Sequence, residues 1–94
     1  MPIDLRPLAG VVPDAVVERL RDARQVLAIG HESPDADALG AALAIGMLTE
    51  ALGGRATVAA ADAVPDLYRF LDASDVFRTD PEPGVVYDIV VMCV

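Results

Sequence analysis

The chain is poor in cysteine, histidine and aromatic residues, and these shortages limit what the protein can be. Its 94 residues contain one cysteine, Cys93, and one histidine, His31. A single cysteine excludes an intrachain disulfide and a multi-cysteine zinc site, and it fits a reducing compartment, so we expect a cytoplasmic protein. Aromatic residues make up 4% of the chain and hydrophobic residues 54%, which predicts a core built mainly of Ala, Val and Leu.

Positive charge is also scarce. Seven Lys and Arg residues stand against 15 Asp and Glu residues, for a formal net charge of −8. This balance argues against extended duplex nucleic acid as a ligand, but small anionic substrates remain compatible if metal ions supply positive charge. The first residues lack the layout of a signal peptide, and no apolar run reaches the roughly 18 residues of a membrane span, so neither secretion nor membrane insertion is predicted.

The hydrophobic pattern predicts alternating helices and strands after an irregular lead-in over residues 1–12. The predicted elements are a helix over about 13–24 with one face covering a sheet, a strand over 25–30, an apolar helix over 38–52, a strand over 55–61, a short helix over about 64–71 with Leu67, Phe70 and Leu71 facing inward, and a strand within 85–94. This alternation predicts an α/β fold, doubly wound, with a mostly parallel sheet and helices on both faces.

Two glycines, Gly40 and Gly46, lie inside the predicted apolar helix. Each costs up to about 1 kcal/mol relative to Ala, so we expect close backbone approach at both positions. The final segment, 89–94, is as apolar as a central strand of a parallel sheet, and the carboxyl end of such a strand normally carries ligand-binding loops. We therefore expect residues 13–94 to be the N-terminal portion of a longer domain; the alternative is a short natural domain that ends in a buried strand.

The polar loop between the first strand and the apolar helix contains the strongest candidates for chemistry. His31 is expected at the carboxyl edge of the strand, with Asp35 and Asp37 in the following turn. An imidazole and two carboxylates suit Mn²⁺ or Mg²⁺, and less well zinc or iron. Two such ions could activate a water and clamp the oxygens of a phosphoryl transfer, although three ligands are too few for two ions. The alternative for Asp35 and Asp37 is helix capping, which can coexist with ligation.

The spacing His31-x-x-x-Asp35-x-Asp37, inside Gly-His-x-x-Pro-Asp-x-Asp-x-x-Gly, resembles the first motif of the DHH phosphoesterase family. The order of elements over residues 26–94 is also similar to that family, and the helix before the first strand resembles its bacterial oligoribonuclease and adenosine bisphosphate phosphatase branch. This resemblance implies a manganese-dependent hydrolase of short oligoribonucleotides (nanoRNA), adenosine bisphosphate or cyclic dinucleotides. It further implies that His31 and Asp35 bind one manganese ion and Asp37 the other.

The family's second-motif aspartate, expected near Val94, its Asp-His-His motif and its substrate-binding domain are absent, so we expect the 94 residues alone to be inactive. Two alternatives remain open. One is a manganese inorganic pyrophosphatase, which shares the loop but whose first strand usually starts near the N-terminus. The other is a catalytically incompetent α/β fragment that oligomerises or binds metal weakly. Oligomeric state is not predicted, and a homodimer is compatible with the sequence.

The remaining polar residues are assigned no chemistry. Cys93 is predicted to be a core residue, because no second histidine exists to activate it as a nucleophile. Glu32, Ser33 and Pro34 are expected to be solvated or to shape the turn. The other acids after the loop are expected to be surface, capping or structural groups: Asp62, Asp66, Asp72, Asp75, Asp80 and Asp88.

Overall fold

The computed structural model describes residues 4, 6, 10–31, 35–72 and 76–93. Its elements in chain order are α1 (Asp14–Asp22), β1 (Gln25–Gly30), α2 (Ala36–Ala51), β2 (Arg55–Ala60), a 3₁₀ helix (Asp66–Asp72) and β3 (Ile89–Cys93). The predicted order of helices and strands is confirmed. None of these helices is long and apolar enough to cross a membrane.

The three strands form one parallel sheet in the order β2-β1-β3, so the chain has the predicted α/β fold. At the carboxyl edge, Gly30 of β1 lies opposite Ala60 of β2 and opposite Cys93 of β3. On the outer side of β2, Arg78 forms an isolated parallel bridge with Ala59. β1 is therefore the central strand, and its carboxyl end is flanked on both sides.

Helix α2 packs against all three strands and forms the core with them. The central cluster contains the small residues Ala28, Ala42, Val58 and Cys93, as the shortage of aromatics predicts. A Cβ atom added to Gly46 would lie 2.6 Å from Cγ2 of Val58, so the expected close approach is confirmed there.

For Gly40 the same expectation is wrong, because among the described residues no atom outside its chain neighbours and its own helix backbone lies within 4 Å of an added Cβ. The end of α2 follows the sequence more closely. Gly53 has a φ of 94°, in the left-handed region that glycine tolerates, and its N–H donates to the carbonyl of Glu50 at 3.1 Å. The predicted stop after the apolar helix is therefore confirmed.

The packing predicted for α1 is wrong. None of its residues is buried, and Val16 is 45% exposed. A hollow of about 500 Å³ lies between α1, Ile45 of α2 and the β3 residues Ile89 and Val91. The apolar face of α1 thus borders open space instead of lying against the sheet.

Two other apolar segments also differ from expectation. Leu67 and Phe70 of the 3₁₀ helix, predicted to face inward, are 75% and 73% exposed. β3 pairs with β1 and with no other strand of the described residues, and Met92 is 72% exposed. β3 therefore has the composition of a central strand but lies at an edge of the described sheet.

Candidate functional site

The strand order points to one edge of the sheet before any side chain is considered. From β1 the chain passes through α2 to β2, and it then returns through the 3₁₀ helix to β3 on the other side of β1. In open α/β sheets, ligands bind at the carboxyl ends of the strands where the order reverses in this way. Here that position lies between Gly30 and Cys93, which are register partners.

β1 delivers His31 to this edge. Val26 and Ala28 in the strand are completely buried, which fixes β1 in the middle of the sheet. A Cβ atom added to Gly30 would lie 3.8 Å from Cβ of Ala60, so the strand end sits in contact with its neighbour. His31 follows directly and is half-buried. Its predicted position at the carboxyl end of the first strand is confirmed.

The start of α2 positions two carboxylates close to His31 in the chain. Asp35 is the N-cap residue: its Oδ1 accepts a hydrogen bond from the N–H of Ala38 at 2.9 Å, and its carbonyl accepts one from the N–H of Leu39 at 3.1 Å. Asp37 lies in the first turn, where a negative charge complements the helix dipole. The cap explains why α2 starts at Ala36, two residues before the predicted start.

The N-cap hydrogen bond leaves acceptor positions of the Asp35 carboxylate available for another partner. A carboxylate has about four acceptor positions, and the cap occupies one of them. Both Asp35 and Asp37 are exposed. The capping interpretation is confirmed for Asp35, and it does not compete with binding of a cation.

His31, Asp35 and Asp37 share an edge of the sheet without forming a coordination group. Within the part of the chain that the structure describes, no three His, Cys, Asp or Glu side chains are grouped so that they could hold a metal ion. The donor types suit Mn²⁺ or Mg²⁺, but the three side chains do not converge on one point in the described structure. Ligation by these three residues therefore stays a prediction. Glu32, Ser33 and Pro34, with their expected turn roles, lie outside the described residues.

Cys93 ends β3 beside the same edge. Its side chain is buried in the core cluster with Ala28 and Ala42. Burial raises the pKa of the Cys93 thiol, which disfavours the thiolate that a nucleophile requires. The prediction that Cys93 is a core residue is confirmed.

Asp88 lies at the opposite, amino edge and ties two strands together. Its Oδ2 accepts hydrogen bonds from the N–H of Gln25 at 2.9 Å and of Arg24 at 2.8 Å, while its own N–H donates to the carbonyl of Gln25 at 2.8 Å. The backbone hydrogen bonds from Gln25 and Arg24 lower the pKa of the Asp88 carboxyl. The structural role predicted for Asp88 is confirmed.

Among the described residues, the other acids after the loop belong to no group that could hold a metal ion. Asp62, Asp66 and Asp80 are exposed, as expected for surface or capping charges. Asp72 ends the 3₁₀ helix, and Asp75 lies outside the described residues. The acidic candidates at the carboxyl edge of β1 therefore reduce to Asp35 and Asp37.

Comparison of the chain with protein-family models, with curated proteins and with solved structures finds no match. The resemblance to DHH phosphoesterases rests on the loop motif and the order of elements, and it stays a prediction.

Proposed function

We propose that this chain is the N-terminal portion of a manganese-dependent phosphoesterase that hydrolyses short oligoribonucleotides, adenosine bisphosphate or cyclic dinucleotides. One observation carries this proposal. His31, Asp35 and Asp37 follow the carboxyl end of the central strand, beside the point where the strand order reverses. Parallel α/β sheets bind ligands at this place; the two carboxylates are donors that hard divalent cations prefer, and the imidazole is a borderline third ligand.

In this proposal the chain's own residues bind and orient the cation. His31 supplies an imidazole nitrogen, and Asp35 and Asp37 supply carboxylate oxygens, with Mn²⁺ first and Mg²⁺ second among the ions. A bound divalent ion supplies positive charge for phosphoryl oxygens and lowers the pKa of water. Since the α2 cap fixes Asp35, this residue would hold its carboxylate ready at the edge while it stabilises the helix.

The net charge of the chain is compatible with a small phosphorylated substrate that binds through a metal ion. With a net charge of −8, the chain attracts cations more readily than polyanions, so at the carboxyl end of β1, beside Asp35 and Asp37, a bound metal ion has to supply the positive charge for a phosphate group. Three ligands are too few for two ions, so we assign metal binding to these residues and turnover to a longer chain that contains them. We place the protein in the cytoplasm, because Cys93 is a free thiol.

Mn²⁺ titration of the chain tests the ligand assignment. We expect Asp37→Asn to weaken Mn²⁺ affinity at least about tenfold, since it removes a charged ligand, as measured by calorimetry. Asp35→Asn should have a similar effect while it keeps a good N-cap. Asp14→Asn is the matched control, because Asp14 is also an exposed acid in the first turn of a helix. Equal affinities in Asp37→Asn and the unaltered chain, or an equal loss in Asp14→Asn, would contradict the assignment.

Turnover by a longer protein containing residues 1–94 separates the possible substrates. We expect Mn²⁺-dependent cleavage of dinucleotides. Exclusive hydrolysis of pyrophosphate would favour the pyrophosphatase alternative, and the absence of any Mn²⁺-dependent turnover would favour an incompetent module.

A further inference from the structure

Two arginines, Arg69 and Arg78, line one hollow at the carboxyl end of β2. All seven basic residues of the chain are arginines. Among those that the structure describes, Arg69 and Arg78 lie in the connection that follows β2, whereas Arg24 and Arg55 lie at the amino ends of strands. The connection from β2 to β3 is acidic overall, so these two arginines matter here as hydrogen-bond donors and not as a region of net positive charge.

The two arginines line one small hollow at the carboxyl end of β2. Its volume is about 160 Å³, and its walls include Arg69, Arg78, Thr79, Asp62, Val64 and Phe77. The backbone pairing of Arg78 with β2 fixes its place there. The Arg78 N–H donates to the carbonyl of Val58 at 2.9 Å, and the Arg78 carbonyl accepts from the N–H of Ala60 at 2.8 Å.

Both guanidinium groups are anchored through Nε. Arg78 Nε donates to the carbonyl of Asp80 at 3.2 Å, and Arg69 Nε lies 3.3 Å from Oδ1 of Asp66. A guanidinium carries about five N–H donors in a rigid fork, so the terminal nitrogens of each arginine keep donors for another acceptor. Two parallel N–H bonds from such a fork match the oxygens of a phosphate.

The volume of the hollow and the charges around it limit which ligand it can bind. Sites for drug-sized ligands occupy about 300–1,000 Å³, so this hollow fits a single small group and not a whole nucleotide. Asp62 in the wall and the Asp66 carboxylate paired with Arg69 offset the charge of the two arginines, so an anion here has to be held by several directed hydrogen bonds. We propose that this hollow binds the phosphate group of a small phosphorylated molecule, with Arg69, Arg78 and the Thr79 hydroxyl as donors.

Such a site adds to the proposed function and needs no metal, because none of the predicted metal ligands lines the hollow. Adjacent strands lie about 4.8 Å apart, and the hollow lies on the outer side of β2, two strand spacings or about 10 Å from the end of β1. A substrate with two phosphate groups could therefore place one in the hollow and the other near His31.

Titration of inorganic phosphate into the chain, with chelator present and ionic strength held constant, tests this site. We expect saturable shifts of the backbone amide NMR signals of Val64 and Thr79. The double variant Arg69→Gln/Arg78→Gln should bind phosphate at least about tenfold more weakly, because it removes the charge-assisted donors. Arg55→Gln is the matched control, since Arg55 is exposed at the opposite end of β2, and we expect it to change the affinity less than about twofold.

Three results would overturn the proposal: no saturable shifts, shifts centred on the start of α2, or an equal loss in Arg55→Gln. Thermal denaturation checks that each variant folds. If the double variant unfolds, Arg69→Gln and Thr79→Val carry the test, because neither side chain takes part in the pairing of Arg78 with β2. Since the titration excludes metal, its failure leaves the Mn²⁺ assignment standing, and failure of Mn²⁺ binding leaves the phosphate site standing.

Discussion

At the scale of single residues, Gly40 and Gly46 occupy the same helix but face different surroundings. An added methyl group at Gly46 would collide with the stiff, buried side chain of Val58, whereas at Gly40 it would meet open space. We expect Gly46→Ala to destabilise the fold by about 1–3 kcal/mol, because overpacking outweighs the gain in helix propensity. Gly40→Ala should stabilise it by up to about 1 kcal/mol.

Urea unfolding midpoints of the two variants measure this contrast. A higher midpoint for both would mean that β2 moves away from α2 at little cost. The position of the two glycines inside the predicted apolar helix assigned both of them the same role. It could not separate them, because the atom that distinguishes them belongs to Val58 on another element.

Asp35 shows which part of the candidate site is visible from sequence. Capping depends on atoms three residues away in the chain, so the local pattern was sufficient to predict it. Metal ligation depends on side chains converging from several places, and no local pattern specifies such convergence. Local sequence patterns do not indicate the proposed phosphate-binding hollow for the same reason, since it joins Arg69 to Arg78 through the fold.

At the scale of elements, Asp88 links the starts of β1 and β3 through its carboxylate. Its folded-state pKa lies below the ordinary value of 3.8, so the carboxylate stabilises the fold above that value. This contribution is lost as the pH falls through the folded-state pKa. We expect Asp88→Asn to lower stability at neutral pH and to reduce the loss of stability on acidification below about pH 4.

Urea midpoints measured across the acidic range check this dependence, with Asp14→Asn as a control that lacks hydrogen bonds across strands. Parallel pH profiles for Asp88→Asn and the unaltered chain would show that the carboxylate does not link the strands in solution.

Helix α1 shows the limit of periodicity at this scale. The spacing of Val16, Val17 and Leu20 indicates which face is apolar, but it does not indicate whether that face docks. None of these side chains is buried, and the hollow beside Ile45 and Val91 separates the helix from the sheet. Docking requires a surface of matching shape on distant elements, which the helix's own sequence does not encode.

At the scale of the whole molecule, the α/β class was predictable and the strand order was not. Apolar runs separated by helical patterns are sufficient to indicate a parallel sheet. That β1 lies between β2 and β3 depends on pairing between residues far apart in the chain. The edge position of β3 follows from this order, and the composition of β3 gave no sign of it.

Metal binding should be visible in the stability of the whole chain. An ion that binds only the folded state adds about 2.7 kcal/mol at a concentration of 100 times its Kd. We expect saturating Mn²⁺ to raise the melting temperature of the unaltered chain and to have a clearly smaller effect on Asp37→Asn. Differential scanning calorimetry with and without Mn²⁺ measures both. An equal rise in the two proteins would show that the stabilising ion does not bind at Asp37.

The strand order also determines how much chain entropy is lost when each outer strand pairs with β1. Roughly twice as many residues separate β1 from β3 as separate β1 from β2. Each doubling of the length of a closed loop costs about 0.6 kcal/mol, so pairing β3 with β1 loses more chain entropy than pairing β2 with β1. The β1-α2-β2 unit, whose helix is capped by Asp35, therefore assembles with the smaller loss of chain entropy. The carboxyl ends of β1 and β3, at Gly30 and Cys93, come together only when this second pairing has formed.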